Sequence, residues 1–363
     1  MKSDIQKTFA LLPILLLLTS CISPIYDGDT ESLLERHSVW QYLNVFSLYH
    51  ERLPDQLDNR TPEELFDIID DTFCSGDYCP RYTGYYYKPI ETRNNAAAAL
   101  EAQNSRYLRF LISDSTMYIR IPDFFDNSFE LFKNDVMMFR HYKNIIIDLR
   151  NNGGGSVDIC DYIVSEFLPF NSEYIQFEYR TYDRKNLKGK TVLWETQRTA
   201  NREPRLRNKN IAILMNHNSA SSSEILISAL KDKNNAHLIG GTTFGKGIGQ
   251  VIIPRLGRKS LSITSMKIRG LTNRTGEYHE KGISPDQLNS EIWDESGMQY
   301  EHQGDLYLRN LYYAAKYLEP SASSSKIKDA IKENISGLPK TSPLAKTAPI
   351  GAYFILEEDP FNN

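Results

Sequence analysis

Two stretches near the middle of the chain repeat the same order: a short apolar strand, a turn and a helix. In the first, the β-branched run 145–147 leads through the glycine turn 153–155 into an apolar helical stretch at 157–167. In the second, the apolar run 211–215 leads through a polar turn into a helix over 222–231. Repeated strand–turn–helix units are typical of a parallel sheet covered by helices, because parallel neighbours need a crossover connection. The pattern predicts an α/β fold.

The chain before this part shows helical spacing of its apolar residues. Residues 31–49 carry apolar side chains at helical intervals, which predicts an amphipathic helix. A second helix is predicted from Thr61, which begins a capping box, with Pro62 at the first helical position. Aromatic and β-branched residues at 82–87 and 117–121 predict strands. We therefore expect a small helical N-terminal subdomain ahead of the α/β core.

Residues 1–20 have the features of a lipoprotein signal peptide. The apolar run 9–18 follows two lysines and is shorter than the roughly 20 residues that a membrane-spanning helix needs. The segment ends in Leu-Thr-Ser before Cys21, which resembles the bacterial lipobox, so Cys21 is predicted to carry a lipid anchor. An ordinary secretory cleavage site beside a cysteine is the alternative.

The residues after Cys21 bear on where the mature protein is located. Ile22, rather than an aspartate, follows the cysteine, and this resembles the pattern of enteric lipoproteins that are sorted to the outer membrane. The acidic stretch 27–31 is a candidate signal for export to the surface. We therefore expect a lipid-anchored protein in the cell envelope of a Gram-negative-type bacterium, on the periplasmic or the surface face of the outer membrane.

Export also determines how the other cysteines are interpreted. Cys74 and Cys79 flank a polar turn and are predicted to close a small disulfide in an oxidising compartment. No histidine or second cysteine pair lies near them in the sequence to complete a zinc site, and Cys160 lacks the signs of a nucleophile. We therefore expect no metal and no cofactor. A net charge of -4 gives no broad basic field, so nucleic acid is not expected as a partner.

Ser221 stands at the predicted entrance of the second helix and has two interpretations. With Glu224 it fits the capping box S-x-x-E, in which the serine only helps to start a helix. A helix N-terminus is also a place where backbone N–H groups stabilise a developing oxyanion, and this suits a nucleophile. The local pattern alone favours the cap.

The glycine-rich loop 240–250 has two interpretations as well. Residues 240–246 fit the first seven places of a phosphate-binding P-loop, G-x-x-x-x-G-K. Gly247 stands where that motif needs Ser or Thr for magnesium, and the strand-like residues 251–254 follow where it needs a helix. The loop is therefore not expected to bind a nucleotide.

Taken together, four segments in chain order resemble the tail-specific, or C-terminal processing, serine peptidases of family S41. They are the strand and glycine turn at 145–155, Ala-Ser-Ser-Ser-Glu-Ile at 220–225, Thr-Phe-Gly-Lys-Gly at 243–247 and Lys-Gly-Ile-Ser-Pro-Asp at 281–286. The resemblance implies an α/β core of the crotonase/ClpP-like type. It also implies a serine endopeptidase that works through an acyl-enzyme.

The resemblance assigns the catalytic roles residue by residue. Ser221 is the expected nucleophile, Lys246 the general base and Gln250 the group that orients the lysine. A lysine accepts a proton only when it is neutral, so burial must lower its pKa from the ordinary value of about 10.4. Phe244 is a candidate for part of the apolar pocket. A glutamine orients the amine without adding the negative charge that would keep it protonated.

The oxyanion hole implied by the resemblance consists of two backbone N–H groups. One belongs to Ser222 and the other to Gly154 or Gly155, between which spacing does not decide. Two positions depart from the family pattern: Ser222 replaces the usual alanine, and Gly153 replaces the common proline before the glycine pair. Neither change removes a catalytic atom.

The predicted organisation has four parts. They are the signal peptide at 1–20, a mostly helical N-terminal region at 21–110, an S41-type catalytic domain at 111–295 and a C-terminal helix with a polar tail at 296–363. Many members of the family carry a PDZ module before the catalytic core, and there is no room for one between Cys79 and Met117. The expected partners are therefore peptide or unfolded-protein substrates, without recognition of their C-termini. The sequence predicts no oligomeric state.

Other interpretations compete with this one. His217 is an alternative base for Ser221, although the sequence marks no third group of a Ser/His enzyme. The segment 323–326 matches S-x-x-K of penicillin-recognising enzymes, without the companion Lys-Thr-Gly. Asp148 and Arg150 are expected to hold the glycine turn. The alternative function is a catalytically silent peptide- or lipid-binding lipoprotein, since the modules of interphotoreceptor retinoid-binding protein resemble this fold.

Overall fold

The computed structural model of the protein describes eight stretches of the chain, which are residues 28–72, 82–86, 107–183, 188–200, 202–256, 259–288, 303–334 and 352–355. The predicted signal peptide with Cys21, and the predicted disulfide between Cys74 and Cys79, lie outside these stretches. No helix within them is long and apolar enough to cross a membrane. The same stretches contain no group of three or more His, Cys, Asp or Glu side chains placed to hold a metal ion.

These stretches form helices and strands in alternation. The α-helices are α1 (Gly28–Phe46), α2 (Pro62–Ile69), α3 (Asp126–Phe139), α4 (Val157–Phe167), α5 (Ser222–Asn234), α6 (Gln303–Leu318) and α7 (Ser324–Asn334), and a 3-10 turn covers His50–Arg52. The strands are β1 (Gly84–Tyr86), β2 (Leu108–Leu111), β3 (Thr116–Arg120), β4 (Asn144–Asp148), β5 (Glu173–Tyr182), β6 (Gly189–Arg198), β7 (Asn210–Met215), β8 (His237–Gly240), β9 (Ile248–Leu256), β10 (Lys259–Arg269), β11 (Gln287–Leu288) and β12 (Ala352–Ile355).

The first sheet contains both predicted strand–turn–helix units. Its strand order is β11-β8-β7-β4-β3-β2, and all neighbours are parallel except β2 and β3. At its centre, Ile146 of β4 lies between Tyr118 of β3 and Ala212 of β7. The helix α4 follows β4, and α5 connects β7 to β8. The α/β prediction is confirmed.

The parallel sheet is buried on both faces. Successive side chains of a strand point to opposite faces. Ile145 and Ile147 accordingly belong to the core with α3, α4 and α5, whereas Ile146 belongs to the core with α6 and α7. Strands covered on both sides are expected to be continuous apolar runs, as 145–147 and 211–215 are. The turns at their carboxyl ends are held between well-packed layers.

The second sheet is built mainly from antiparallel strands. Its order is β12-β9-β10-β5-β6, with β1 also paired to β10. The helices α1 and α2 cover one part of it: Val39 and Leu65 from the helices pack with Val251 and Ile263 from β9 and β10 in one core. The predicted helical N-terminal region is present, and it packs on the strand that follows Lys246.

The helix α2 begins as the sequence predicts. The Thr61 hydroxyl accepts the Glu64 N–H at 3.2 Å, and the Glu64 carboxylate accepts the Thr61 N–H at 2.7 Å. This reciprocal pair is the capping box, and Pro62 occupies the first helical position. The helix ends at Ile69, and Asp70 and Asp71 follow it.

The second sheet was predicted only in part. The sequence predicts strands at 82–87 and 251–254, which overlap β1 and the middle of β9, but none at β5, β6 or β10. Buried and half-buried residues are mixed along β5, and β6 has only half-buried and exposed residues, so these strands lack the continuous apolar run that marked the parallel strands. The C-terminal tail was expected to be polar, but Ala352–Ile355 form β12. This apolar segment pairs in parallel with β9, from Gly249 to Ile252, and extends the sheet at that edge.

Candidate active site

Ser221 stands before the first residue of α5 in a backbone conformation that serine rarely adopts. Its φ is 59° and its ψ is -113°, and the residue is fully buried. Such a conformation costs of order 1–3 kcal/mol and persists only where its surroundings impose it. Part of the constraint is Glu224, whose carboxylate accepts the Ser221 N–H at 2.9 Å. The surrounding fold therefore fixes the backbone conformation of Ser221, which also precedes the first residue of the helix.

The glycine turn that follows β4 has a shape that only glycine fits. Gly154 and Gly155 have φ values of 105° and 143°. A Cβ atom on Gly155 would lie 2.6 Å from the carbonyl oxygen of Phe124. The side-chain oxygen of Asn152 accepts the Gly154 N–H at 2.9 Å and closes the turn.

Three hydrogen bonds join this turn to the start of α5. The Ala220 N–H and the Ser223 hydroxyl donate to the carbonyl oxygen of Asn152, at 3.0 and 2.9 Å. The Ser222 hydroxyl donates to the carbonyl oxygen of Gly155 at 2.8 Å. The residues expected to form an oxyanion hole are therefore neighbours. In the part of the chain that the structure describes, neither the Ser222 N–H nor the Gly155 N–H finds an acceptor.

Lys246 lies in a closed, largely apolar pocket. Its side chain is fully buried, and its Nζ donates a hydrogen bond to Gln250 Oε1 at 3.0 Å. The same Nζ lies 3.8 Å from the centre of the Tyr82 ring. An apolar cluster next to the lysine consists of Tyr82, Ala220, Phe244 and Ile248. Phe244 thus belongs to the pocket for which it was a candidate.

The pocket changes the protonation of Lys246. Burial lowers its pKa to about 7, because loss of water disfavours the charged ammonium form. The negative charges of Asp71 and Glu224 act in the opposite direction and raise the pKa, but by less than burial lowers it. Near neutral pH a large share of Lys246 is therefore the free amine, which is able to accept a proton.

Glu224 connects the start of α5 to the loop that carries Lys246. Its Oε2 accepts the N–H groups of Ser221 and Lys246, at 2.9 and 2.8 Å. Its Oε1 accepts the Thr243 hydroxyl at 2.6 Å and the Gly245 N–H at 2.7 Å. Burial nevertheless raises the pKa of Glu224 to about 7, because desolvation outweighs the four donors that favour the anion. The carboxylate holds the two predicted catalytic residues side by side.

A second polar network lies behind Gln250, on the side away from the lysine. Gln250 Nε2 donates to Thr264 Oγ1 at 3.2 Å, and Thr264 Oγ1 donates in turn to Asp71 Oδ2. Asp71 Oδ1 also accepts the N–H groups of Tyr82 and Thr83, at 3.0 Å each. All five residues are buried, so the network is shielded from solvent.

The other residues considered from the sequence as catalytic candidates have surroundings that differ from the buried pocket of Lys246. His217 is exposed, with its ring 5.5 Å from that of Phe244. The segment 323–326 opens α7, which packs on the opposite face of the parallel sheet from α5. Arg150 Nε and Nη2 donate to the Asp148 carboxylate at 2.9 and 2.6 Å, and both residues are fully buried. This ion pair at the end of β4 supports the glycine turn, as expected.

Cys160 also fits its predicted lack of reactivity. It is buried in α4, and its thiol donates to the Ser222 carbonyl oxygen at 3.3 Å. Burial raises the pKa of this thiol well above its ordinary value, which disfavours the reactive thiolate.

The sequence predicts no catalytic role for several residues of the site. Asn152 belongs to the recognised motif, and its position before the glycine pair was a usable signal. Glu224 was identified only as half of a capping box. Asp71, Tyr82 and Thr264 gave no signal, because they reach the site from separate parts of the chain through the fold.

The middle of the chain is similar to a known peptidase family. A family model described as peptidase family S41 matches residues 115–288, which include Ser221, Lys246 and Gln250. A probable CtpA-like serine protease of Staphylococcus saprophyticus is 35% identical over 145 residues, which are 40% of this chain and 27% of the relative. The corresponding protein of Staphylococcus aureus is 37% identical with the same coverage. The matched segment thus spans about a quarter of the length of these curated relatives.

The chain is similar over most of its length to a solved structure. It is that of a lipoprotein from Streptococcus agalactiae, with a TM-score of 0.51 and 17% sequence identity. The similarity covers 86% of this chain and 100% of that one. At this identity the comparison shows a common fold.

Proposed function

We propose that this chain, in which residues 115–288 form a peptidase family S41 domain, is a serine endopeptidase that hydrolyses exported peptides or unfolded proteins. The observation that carries the proposal is the environment of Lys246. Lys246 has a fully buried amine with a pKa near 7, and its backbone N–H shares the Glu224 carboxylate with that of Ser221, a serine in a strained conformation. Perturbed ionisation and backbone strain in one place are typical of a catalytic site.

The proposed reaction begins with removal of a proton from the Ser221 hydroxyl. Neutral Lys246 takes this proton at Nζ while Ser221 Oγ attacks the carbonyl carbon of the scissile peptide bond. The resulting ammonium is stabilised by its hydrogen bond to Gln250 Oε1, which is 3.0 Å away. As the tetrahedral intermediate collapses, Lys246 returns the proton to the leaving amine. A water molecule then hydrolyses the acyl-enzyme by the same proton transfers, which regenerates the serine.

The proposed oxyanion hole consists of the N–H groups of Ser222 and Gly155. The N–H of Gly154 already donates to Asn152, so it is less suited to a developing charge than that of its neighbour. Ser222 N–H lies in the first turn of α5, where backbone donors have no partner within the helix. Losing one such donor typically lowers the rate by roughly 10² to 10³.

The location of the protein is also a proposal. The lipobox-like segment before Cys21 supports a lipid anchor, and Ile22 supports the outer membrane. Incorporation of radioactive palmitate tests the anchor in cells that express the full chain. Labelling is expected in the natural sequence and not in Cys21→Ala; equal labelling of both would exclude this attachment site.

Cleavage of an unfolded protein tests the enzymatic proposal directly. The purified protein is expected to cleave casein, and Ser221→Ala and Lys246→Ala are each expected to abolish cleavage. Two matched variants control for general damage: Ser228→Ala removes another buried serine of α5, and Lys233→Ala removes an exposed lysine of the same helix. Both should retain activity.

The possible results separate the two functions. Cleavage that survives both Ser221→Ala and Lys246→Ala would overturn the Ser/Lys mechanism. If neither the natural protein nor any variant cleaves casein or a panel of peptides of mixed sequence, the result would favour the catalytically silent binding protein.

A further inference from the structure

We propose that Asp71, acting through Thr264, fixes the side-chain amide of Gln250 so that its carbonyl oxygen, and not its NH2 group, faces Lys246. The inference deepens the proposed function and rests on it. Asp71 lies outside residues 115–288, the segment that matches the peptidase family. The N-terminal helical region would therefore supply a positioning residue to the catalytic site.

Asp71 is held at this place by several donors. It lies two residues beyond α2 and is buried. The N–H groups of Tyr82 and Thr83 donate to Oδ1 at 3.0 Å each, and the Thr83 hydroxyl donates to Oδ2 at 2.7 Å. The same Oδ2 accepts the hydroxyl of Thr264, a residue of β10. The carboxylate therefore acts only as an acceptor towards its neighbours.

The chemistry of the Thr264 hydroxyl transmits this constraint to Gln250. A hydroxyl has one proton to donate and two lone pairs with which to accept. Because the proton of Thr264 goes to Asp71, the hydroxyl offers Gln250 only a lone pair. Gln250 must then turn its NH2 group to Thr264, and Nε2 is 3.2 Å from Thr264 Oγ1. The carbonyl oxygen is left to face Lys246 Nζ, at 3.0 Å.

The orientation of the amide matters for the base. If the NH2 group of Gln250 faced Lys246, it would donate to the lone pair of the neutral amine. That lone pair is the one that must take the proton from Ser221. With the carbonyl oxygen facing the lysine, the amine donates to Gln250 and keeps its lone pair available. The same carbonyl also accepts from the ammonium that forms during the reaction.

Tyr82 shows that the N-terminal region and the lysine pocket are one structure. Its N–H donates to Asp71 and its ring lies 3.8 Å from Lys246 Nζ. The charges of Asp71 and Glu224 raise the pKa of Lys246, and His279 Nδ1 lies 3.3 Å from the carbonyl oxygen of the preceding residue, Gly245.

Variants of Thr264 test the inference without changing any charge. Thr264→Val removes the hydroxyl and allows the amide of Gln250 to rotate, so we expect kcat to fall by roughly 10- to 100-fold with little change in KM. Thr264→Ser keeps the hydroxyl and should restore the rate. Asp71→Asn should lower kcat similarly, because an asparagine NH2 group would reverse the direction of the hydrogen bonds.

Control experiments distinguish positioning from a general structural effect. Asp232→Asn removes another carboxylate that accepts one backbone N–H and two threonine hydroxyls, away from the site, and should leave kcat unchanged. In a Gln250→Ala background, Asp71→Asn should cause no further loss of kcat, since the amide on which it acts is absent. The inference would be overturned if Asp71→Asn lowered kcat by the same factor in the natural protein and in the Gln250→Ala background. A wild-type kcat in both Asp71→Asn and Thr264→Val would also overturn it.

A measurement that does not require activity separates this inference from the proposed function. Protein labelled with ¹³C at lysine Cε reports the titration of Lys246, whose signal is identified by its loss in Lys246→Met. The pKa of Lys246 should fall in Thr264→Val and stay unchanged in Thr264→Ser, because only the valine variant weakens the carbonyl acceptor. If the pKa of Lys246 falls in Thr264→Val but the protein has no peptidase activity, the role of Asp71 and Thr264 in orienting Gln250 is supported and the proposed function is refuted. An unchanged pKa in Thr264→Val would refute the network in either case.

Discussion

Glu224 connects the serine and the lysine through a single atom. Because Oε2 accepts the N–H groups of both Ser221 and Lys246, a shift of this side chain would displace both residues together. The cost of burying the carboxylate appears as the raised pKa of Glu224, about 7. A helix cap and a catalytic support are therefore the same group. The two interpretations of the S-x-x-E pattern do not exclude each other.

The pH dependence of cleavage follows from the lowered pKa of Lys246. The active form is the neutral amine, so kcat/KM should rise with pH through a midpoint near 7 and fall about tenfold per unit below it. Glu224 titrates in the same range, so the midpoint belongs to the coupled pair. Initial rates on a fluorogenic peptide between pH 5 and 9 measure the profile. A midpoint near 10 would contradict the buried, neutral base.

Some residues of the candidate site could be predicted from the sequence and others could not. Ser221, Lys246 and Gln250 lie in short blocks whose order and spacing resemble a known pattern. Thr264 and Asp71 meet across a separation of 193 residues, through the pairing of β10 and the docking of α2. No local signal marks such a contact, because it depends on the packing of two elements rather than on neighbours in the chain.

At the level of elements, two turns at the carboxyl ends of neighbouring parallel strands are joined to form the predicted oxyanion hole. The turn after β4 supplies Gly155 and the turn after β7 supplies Ser222, and the Ser222 hydroxyl donates to the Gly155 carbonyl oxygen. Both strand–turn–helix units were predictable, because buried parallel strands are short continuous apolar runs. The antiparallel strands β5 and β6 lack such runs and were missed.

Gly155→Ala tests the glycine turn. The added Cβ would lie 2.6 Å from the Phe124 carbonyl oxygen at a φ of 143°, so the turn must shift and move the N–H of residue 155. We expect kcat to fall by roughly 10² to 10³. Gly84→Ala is the matched control, because a Cβ there meets nothing within 4 Å. Cleavage rates and thermal unfolding of both variants measure the effect. A fully active Gly155→Ala enzyme would exclude the N–H of residue 155 as an oxyanion donor.

On the scale of the whole molecule, the site contains residues from both sides of position 110, where the sequence predicts a domain boundary. Asp71 and Tyr82 lie before it, and Lys246 and Gln250 lie after it. The helices α1 and α2 pack on β9 and β10, the sheet that carries Gln250 and Thr264. The apolar faces of these helices were predictable from spacing, but the surface that they cover was not.

The buried lysine also affects the stability of the whole fold. Lys246 has a pKa of about 7 in the folded protein, whereas an unfolded lysine keeps its proton up to about pH 10. Between these values the unfolded state binds more protons, so the free energy of unfolding rises with pH. Below about pH 7 the penalty for burying the amine is fully present, and it disappears as the pH approaches 10.

Lys246→Met should therefore stabilise the protein while abolishing cleavage. Methionine fills a similar volume against the Tyr82 ring without the desolvation cost, so we expect the free energy of unfolding to increase by about 2–4 kcal/mol at pH 7. The gain should shrink towards zero as the pH approaches 10, because the unfolded lysine then also becomes neutral and burial of the amine no longer requires removal of a proton. Urea unfolding at pH 6, 8 and 10 measures this difference. As a control, Lys190→Met replaces an exposed lysine on β6, and its effect on the free energy of unfolding should not depend on pH in this way. A Lys246→Met protein that is less stable than the natural protein at pH 7 would contradict a destabilising buried amine.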